Sequence, residues 1–276
     1  RVEVIMTGIP HVPVRSPFVK ADGVKVFYRE AGDPVNPTLL LLHSFPCSSH
    51  QFRELIPLLA DMFQLVAPDL PGFGFTEVPA DRHYLSTFDG LAKTLIDFVD
   101  ALDLQRFAIY VFDYGAPTGL RLAVHYPQRI SGFISQNGNA YLEGLGDAWA
   151  PVRAYWDEPS AANRQAVSDA ILNLEGTKWQ YLHGVSDPTS VAPEGYQRDA
   201  LLMERPGNRE IQLDLFLDSA HNLTRYPAFQ ASFRAVQPPA FIICGTHDPF
   251  LLPPGADAHQ LDNPNVVAAP LATAPS

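Results

Sequence analysis

Residues 107–116 read Phe107-Ala108-Ile109-Tyr110-Val111-Phe112-Asp113-Tyr114-Gly115-Ala116. The first five residues have the apolar, β-branched and aromatic character of a buried strand, and a helical pattern begins soon after Asp113. A strand that turns sharply into a helix with a reactive residue at the corner is typical of a nucleophile elbow, which exposes that side chain near backbone N–H groups. Asp is also a favoured helix N-cap, so this segment alone leaves both roles open for Asp113.

Strands and helices alternate on either side of this stretch. An Asp-Gly turn at 22–23 predicts a hairpin, and the run Thr38–Leu42 suits a strand that is covered on both faces. Further strands are predicted at 65–67, 107–111, 130–136, 240–245 and 266–267, with helices at 50–62, 87–102, 115–126 and 254–261. This alternation predicts an α/β fold with a mostly parallel sheet flanked by helices.

The pattern of apolar residues changes between residues 139 and 226. Strand patterns stop there, and helical patterns at 161–174 and 211–223 are punctuated by Pro, Gly and aromatic residues. We interpret this stretch as a helical cap inserted after the sixth strand. The domains predicted are therefore a core formed by 1–138 and 227–276 and a cap formed by 139–226.

Composition narrows the classes of partner. The chain has 276 residues and a formal net charge of −11, which disfavours binding to nucleic acid or to anionic membranes. No apolar run reaches the ~20 residues of a membrane span, and no signal peptide is visible. Cys47 and Cys244 fall in or near predicted core strands and are expected to be buried free thiols, which fits a cytoplasmic location. His183 and His221 have no partners at metal-ligand spacing, so we predict no metal or cofactor.

Three loops that follow predicted strands carry polar or reactive residues. They are the loop at 43–46, which reads His43-Ser44-Phe45-Pro46, the elbow at Asp113, and the loop at 245–249, which reads Gly245-Thr246-His247-Asp248-Pro249. In an open α/β sheet, ligand sites lie outside the carboxyl ends of the strands, so the three loops are expected to meet at one edge.

With the turn Asp69-Leu70-Pro71-Gly72-Phe73-Gly74, these motifs resemble those of the α/β-hydrolases that use an Asp nucleophile, the branch that contains epoxide hydrolases and haloalkane dehalogenases. The resemblance spans nearly all of the chain. It implies that Asp113 is the nucleophile, that Asp248 orients a catalytic His, and that the backbone N–H groups of Phe45 and Tyr114 form the oxyanion hole. It also implies a cis Phe45-Pro46 bond.

Two features depart from the family pattern. Ser44 stands where the family usually has Gly, which predicts a crowded or shifted oxyanion loop. The family's catalytic His follows the last strand, whereas this chain has the Ala- and Pro-rich residues 268–276 there. After Asp248 the chain offers His259, which is expected on the surface of a helix. We therefore expect the catalytic base to be missing and turnover to be impaired.

A carboxylate nucleophile suits attack on saturated carbon, in an epoxide or an alkyl halide, better than attack on an acyl ester. A departing epoxide oxygen needs an acid, and the cap offers Tyr141, Tyr155, Tyr181 and Tyr196, with Trp149 as a further wall of the pocket. These residues favour an epoxide-hydrolase-like activity on a small apolar substrate. A haloalkane dehalogenase, an esterase-like hydrolase and a non-catalytic protein that binds small ligands remain alternatives, and the oligomeric state stays open.

Overall fold

The computed structural model describes residues 12–271, and in this part of the chain eight strands form one sheet. The order across the sheet is β1-β2-β4-β3-β5-β6-β7-β8, with β1 and β2 antiparallel to their neighbours and the others parallel. The strands are β1 (Phe18–Ala21), β2 (Val24–Ala31), β3 (Thr38–Leu42), β4 (Gln64–Pro68), β5 (Phe107–Phe112), β6 (Ile130–Gln136), β7 (Ala240–Gly245) and β8 (Val266–Leu271). The predicted α/β class and mostly parallel sheet are confirmed.

Helices cover both faces of the sheet and fill the long connection between β6 and β7. They are α1 (Leu55–Leu59), α2 (Phe88–Ala101), α3 (Gly115–His125), α4 (Ala150–Asp157), α5 (Ala161–Ile171), α6 (Leu174–Leu182), α7 (Pro193–Met203), α8 (Asn208–Val236) and α9 (Pro253–Asp262). Of the helices in residues 12–271, none combines the length and apolar character needed to cross a bilayer.

Two helix predictions need correction. The single helix expected at 50–62 is a 3₁₀ turn, Ser49–Phe52, followed by the short α1. The helix expected at 211–223 is part of α8, which continues through Pro227 to Val236. The predicted cap boundary at 226 therefore lies inside a helix. Residues 272–276 of the Ala- and Pro-rich stretch lie outside the described residues.

The turn at 69–74 is built around the buried Asp69 side chain. Its two carboxylate oxygens accept hydrogen bonds from the backbone N–H groups of Ser49 (2.7 Å) and Phe75 (2.8 Å). Gly74 has φ +50, and a Cβ atom there would lie 1.9 Å from Asp69 Oδ2. Asp69 thus ties the β4 turn to the loop after β3, which carries Phe45.

Three apolar clusters form the interior. One of them joins the sheet edge to the inserted helices, because Phe45, Phe88 and Tyr114 of the core pack in the same cluster as Trp149 and Phe216. The carboxyl edge of the sheet and the helical segment therefore share one hydrophobic interface, and the site described next lies in it.

Candidate active site

Asp113 occupies the corner between β5 and α3 in a left-handed backbone conformation, with φ +44. The turn closes with a hydrogen bond from Ala116 N–H to Asp113 carbonyl oxygen at 2.8 Å. Gly115 begins α3, and a Cβ atom there would lie 2.3 Å from the carbonyl oxygen of Leu42. Only Gly lets the helix approach β3 this closely. The resulting sharp corner directs the Asp113 side chain into the cavity described below.

Two backbone N–H groups hydrogen-bond the Asp113 carboxylate, and they belong to the two residues expected to form an oxyanion hole. Phe45 N–H donates to Asp113 Oδ2 at 2.9 Å, and the backbone N–H of Tyr114 also hydrogen-bonds this carboxylate. Burial nevertheless raises the pKa of Asp113 to about 7, because desolvation outweighs these two donors. The carboxylate is therefore poised to exchange its proton near neutral pH.

Ser44 does not displace the loop that carries Phe45. Its backbone N–H donates to Gln51 Oε1 at 2.9 Å, and its hydroxyl donates to the carbonyl oxygen of Phe45 at 3.1 Å. The Phe45-Pro46 peptide bond is cis, which confirms that prediction. The expected shift of the loop is wrong, because the local hydrogen bonds of Ser44 keep Phe45 N–H within reach of Asp113.

Asp248 lies in the same cavity as Asp113, as the two loops predicted. Its Oδ1 accepts hydrogen bonds from the backbone N–H groups of Phe250 (2.8 Å) and Leu251 (3.0 Å), and its Oδ2 accepts one from the side chain of Asn137. Burial raises the pKa of Asp248 from its ordinary value. Asn137 was missed at the sequence level, although its position directly after β6 was a usable signal.

The cavity over Asp113 has a largely aromatic wall. Trp149 lines it as predicted, and its indole N–H donates to the carbonyl oxygen of Phe250 at 3.1 Å. Phe45, Tyr114 and Phe216 form much of the remaining wall. A small apolar molecule fits such a lining, since its surface would be buried against aromatic rings.

The structure does not bring the four tyrosines predicted for substrate binding into this wall. Tyr141 donates to Asp262, Tyr181 donates to Asp199, and Tyr155 accepts from Arg164, so their hydroxyls are engaged elsewhere. Tyr196 packs edge-on against Tyr181 outside the cavity. Sequence periodicity placed these residues in the helical segment but could not give the direction of their side chains.

Among the described residues, no histidine lines the cavity over Asp113. His43 is buried, with Nε2 accepting from Leu70 N–H and Nδ1 bonded to the carbonyl oxygen of Ser44, so its role is structural as expected. His259 is also buried, packed against Phe133, Tyr141 and Phe233, and the expectation that it lies on the surface is wrong. Within the described residues no group of three or more His, Cys, Asp and Glu side chains is arranged to hold a metal ion.

A family model described as the alpha/beta hydrolase fold matches residues 37–258. The chain is 46% identical over 249 residues to "Uncharacterized hydrolase YNR064C" of Saccharomyces cerevisiae, covering 89% of this chain and 85% of that protein. It is 33% identical over 125 residues to "Haloalkane dehalogenase 2" of Mycobacterium bovis, covering 45% of this chain and 42% of that one. The structure of "Epoxide hydrolase CorEH" superimposes with a TM-score of 0.75 at 18% identity, over 95% of this chain and 92% of that one. The chain therefore belongs to the α/β-hydrolase family, and its similarity to relatives named as hydrolases identifies it as a hydrolase.

Proposed function

We propose that this hydrolase uses Asp113 as a nucleophile at saturated carbon and acts on small, mainly apolar epoxides. The observation that carries the proposal is the placement of Asp113, whose carboxylate lies at the strand–helix corner, in contact with two backbone N–H donors and open to an aromatic cavity. A purely structural N-cap would bond the first turn of its own helix, whereas Asp113 Oδ2 bonds Phe45 on another loop.

In the proposed reaction, a carboxylate oxygen of Asp113 attacks a ring carbon and the carbon–oxygen bond of the oxirane breaks. The ring oxygen takes a proton from a water molecule, which is left as hydroxide, and an alkyl ester remains on Asp113. Water then adds to the ester carbonyl, and the N–H groups of Phe45 and Tyr114 stabilise the tetrahedral anion, each contributing up to about 3–4 kcal/mol. Asp248, which is buried beside the same cavity, is proposed as the acid that orients a base.

The wall of the cavity favours an epoxide over an alkyl halide. A leaving halide needs N–H donors, but the indole N–H of Trp149, which lines the cavity, donates to the main-chain oxygen of Phe250. An oxirane releases ring strain as it opens, so water can serve as the acid that protonates its oxygen although none of the four tyrosines predicted for this role lines the cavity. Haloalkane dehalogenation remains the second candidate, supported by the partial similarity to a protein of that name.

Hydrolysis of the ester is expected to be the slow step of the 276-residue chain. No described histidine lines the cavity, and a general base contributes typically ~10²–10⁴-fold to such a step. A cytoplasmic location is part of this proposal, since Cys47 and Cys244 are both unpaired thiols.

Covalent labelling tests the proposal. The chain is incubated with styrene oxide, and in parallel with 1-bromobutane, and intact-protein mass spectrometry follows the added mass. We expect one equivalent of styrene oxide to accumulate on Asp113, located by peptide mapping, with little label from the bromide.

Asp113→Asn should abolish this label, because the amide is a poor nucleophile. Asp61→Asn, which alters an exposed carboxylate, is the matched control and should label like the wild type. Label that persists in Asp113→Asn, or that maps to another residue, contradicts the nucleophile. Rapid multiple turnover without a trapped ester contradicts the slow second step alone.

A further inference from the structure

A second cavity also borders Asp113. The walls of the two cavities share four residues, Asp113, Tyr114, Trp149 and Leu251. The remaining wall of the second cavity differs in character, since it includes the polar side chains of Asn139, Ser219, Asn222 and Tyr226. Asp113 is therefore placed between an aromatic space and a partly polar one.

The Tyr226 hydroxyl has a proton to donate into this second cavity. Its oxygen accepts a hydrogen bond from Asn139 Nδ2 at 3.2 Å, and no described residue accepts one from its O–H. The residue is only 6% exposed, so bulk water does not substitute for a partner. A buried hydroxyl with an unused proton is costly unless a ligand or bound water completes it.

Asn139 fixes the direction of that proton. Its Oδ1 accepts from the backbone N–H of Tyr141 at 3.1 Å, which leaves Nδ2 to face Tyr226. Close packing holds the side chain in place, since Cβ atoms added at Gly144 and Gly255 would lie 2.4 and 2.9 Å from Asn139 Oδ1. With the lone pair of Tyr226 occupied by Asn139, the hydroxyl proton has to point elsewhere.

Asn222 supplies a second donor on the same wall. Its Oδ1 accepts from Arg121 Nη1 at 2.8 Å, which fixes the amide orientation because Arg can only donate. The amide nitrogen then has no acceptor among the described residues, although Asn222 is only 7% exposed. Asn222 and Tyr226 lie four residues apart on α8, so both side chains leave the same face of that helix.

The charges around the cavity decide what these donors can bind. The lining includes the Asp113 carboxylate, and no Lys or Arg is among the lining residues that the structure describes. An anion would be repelled by Asp113 without a compensating cation. The two donors therefore suit an uncharged acceptor, such as a carbonyl or ether oxygen.

We propose that the second cavity is a specificity subsite in which Tyr226 O–H and Asn222 N–H bind an uncharged oxygen atom of the substrate. The subsite deepens the proposed function, because it names the substrates as epoxides that carry a carbonyl or ether oxygen on one side of the reacting carbon. Its binding role does not depend on the chemistry of Asp113.

An isosteric pair of unreactive ligands tests the subsite. Cyclohexanone and methylenecyclohexane differ by an oxygen in place of a CH₂ group, and binding of each is measured by quenching of the Trp149 and Trp156 fluorescence. We expect the wild type to bind the ketone about 5–10-fold more tightly, which is the effect of one good hydrogen bond.

Tyr226→Phe keeps the ring and removes one of the two donors, so the ratio of the two affinities should fall. Asn222→Asp keeps the oxygen that Arg121 bonds and removes the N–H donor, so the ratio should also fall. Tyr126→Phe is the matched control, because the Tyr126 hydroxyl bonds Asp100 on the surface, and this variant should keep the wild-type ratio.

Equal affinity of the wild type for both ligands overturns the subsite, and so does a ratio that survives in both Tyr226→Phe and Asn222→Asp. If one variant is unstable, the other decides. The binding ratio is independent of covalent labelling, so a protein that binds the ketone selectively but is never labelled at Asp113 contradicts the proposed chemistry and supports the subsite.

Discussion

The raised pKa of Asp113 makes the stability of the fold depend on pH. Its pKa is raised to about 7 by desolvation, so the folded protein holds a proton that the unfolded chain has already released above pH 4. This carboxyl therefore contributes most favourably at low pH, and its contribution falls as the pH rises from about 4 through 7. The proposed role of Asp113 as a nucleophile would therefore come at a cost in stability.

Asp113→Asn should become more stable relative to the wild type as the pH increases. Asn is neutral at every pH, so it avoids the cost of ionising a buried group. We expect the difference in the free energy of unfolding to grow by about 2–3 kcal/mol between pH 5 and pH 8. Urea denaturation of both proteins at the two pH values measures it, and an unchanged difference would contradict the raised pKa.

The same pKa governs the rate of labelling. Only the carboxylate attacks an epoxide, so the rate of adduct formation should rise about tenfold per pH unit below 7 and level off above it. A series of timed mass spectra between pH 5 and pH 9 gives the profile. A rate that is flat from pH 5 would place the reactive form of Asp113 at an ordinary carboxyl pKa.

Single residues also show where sequence-based prediction stops. Asp113, Asp248 and Phe45 were located from the sequence because each follows a strand, and strand ends converge in a parallel sheet. The hydroxyl of a tyrosine on a helix has no such constraint. Tyr226 was not among the four tyrosines chosen, and it reaches the cavity because Asn139 on a separate loop holds it.

The helix α3 owes its position to the absence of a side chain at its first residue. Gly115 packs directly on the backbone of β3. One turn later, Gly119 packs against Leu42 and Val111, and a Cβ atom added at Gly119 would lie 2.7 and 2.8 Å from their side chains. This contact fixes the angle at which α3 leaves the elbow. It therefore fixes the direction of the Tyr114 N–H that faces Asp113.

Gly115→Ala should push α3 away from β3 and destabilise the fold. The added methyl meets a backbone oxygen that cannot move aside, so we expect a loss of about 2–4 kcal/mol and slower labelling of Asp113. Gly132→Ala on β6 is the control, since its Cβ atom would meet Ala108 at an ordinary 3.4 Å. Similar stability losses in the two variants, measured by thermal unfolding, would contradict this role for Gly115.

Helices and strands of the core were more predictable than those of the inserted segment. Period-2 and continuous apolar patterns identified all eight strands to within a few residues, because the pattern of a strand depends only on its own residues. The length of α8 was underestimated because Pro227 reads as a helix end, whereas the structure keeps it inside the helix. The predicted helix at 50–62 failed because a turn at residues 53–54 separates the 3₁₀ turn from α1, and α1 already ends at Leu59.

The molecule has its three tryptophans, Trp149, Trp156 and Trp179, in the inserted segment between β6 and β7. That segment shares an apolar cluster with the sheet edge, through contacts such as Phe45 with Phe216, whose ring centroids are 5.0 Å apart. A shared interface of this kind couples the two parts energetically. The segment should not unfold before the sheet does.

Urea unfolding should therefore give coincident transitions by tryptophan fluorescence, which reports the inserted segment, and by far-UV circular dichroism, which reports the whole fold. Phe216→Ala removes a shared ring and should lower the free energy of unfolding by about 3–5 kcal/mol. It should also separate the two transitions. A fluorescence transition that precedes the other in the wild type would show that the segment is independently stable.

The two unlike cavities that meet at Asp113 have a stereochemical consequence. A carbon atom with an aromatic or alkyl group on one side and an oxygen-bearing group on the other would be held one way round, with each group in the cavity that matches it. Attack from Asp113 comes from a fixed direction, so only one mirror image presents the back of its breaking bond to the carboxylate. Racemic phenyl glycidyl ether should accordingly be consumed unequally, and chiral chromatography of the unreacted ether would show one enantiomer left in excess.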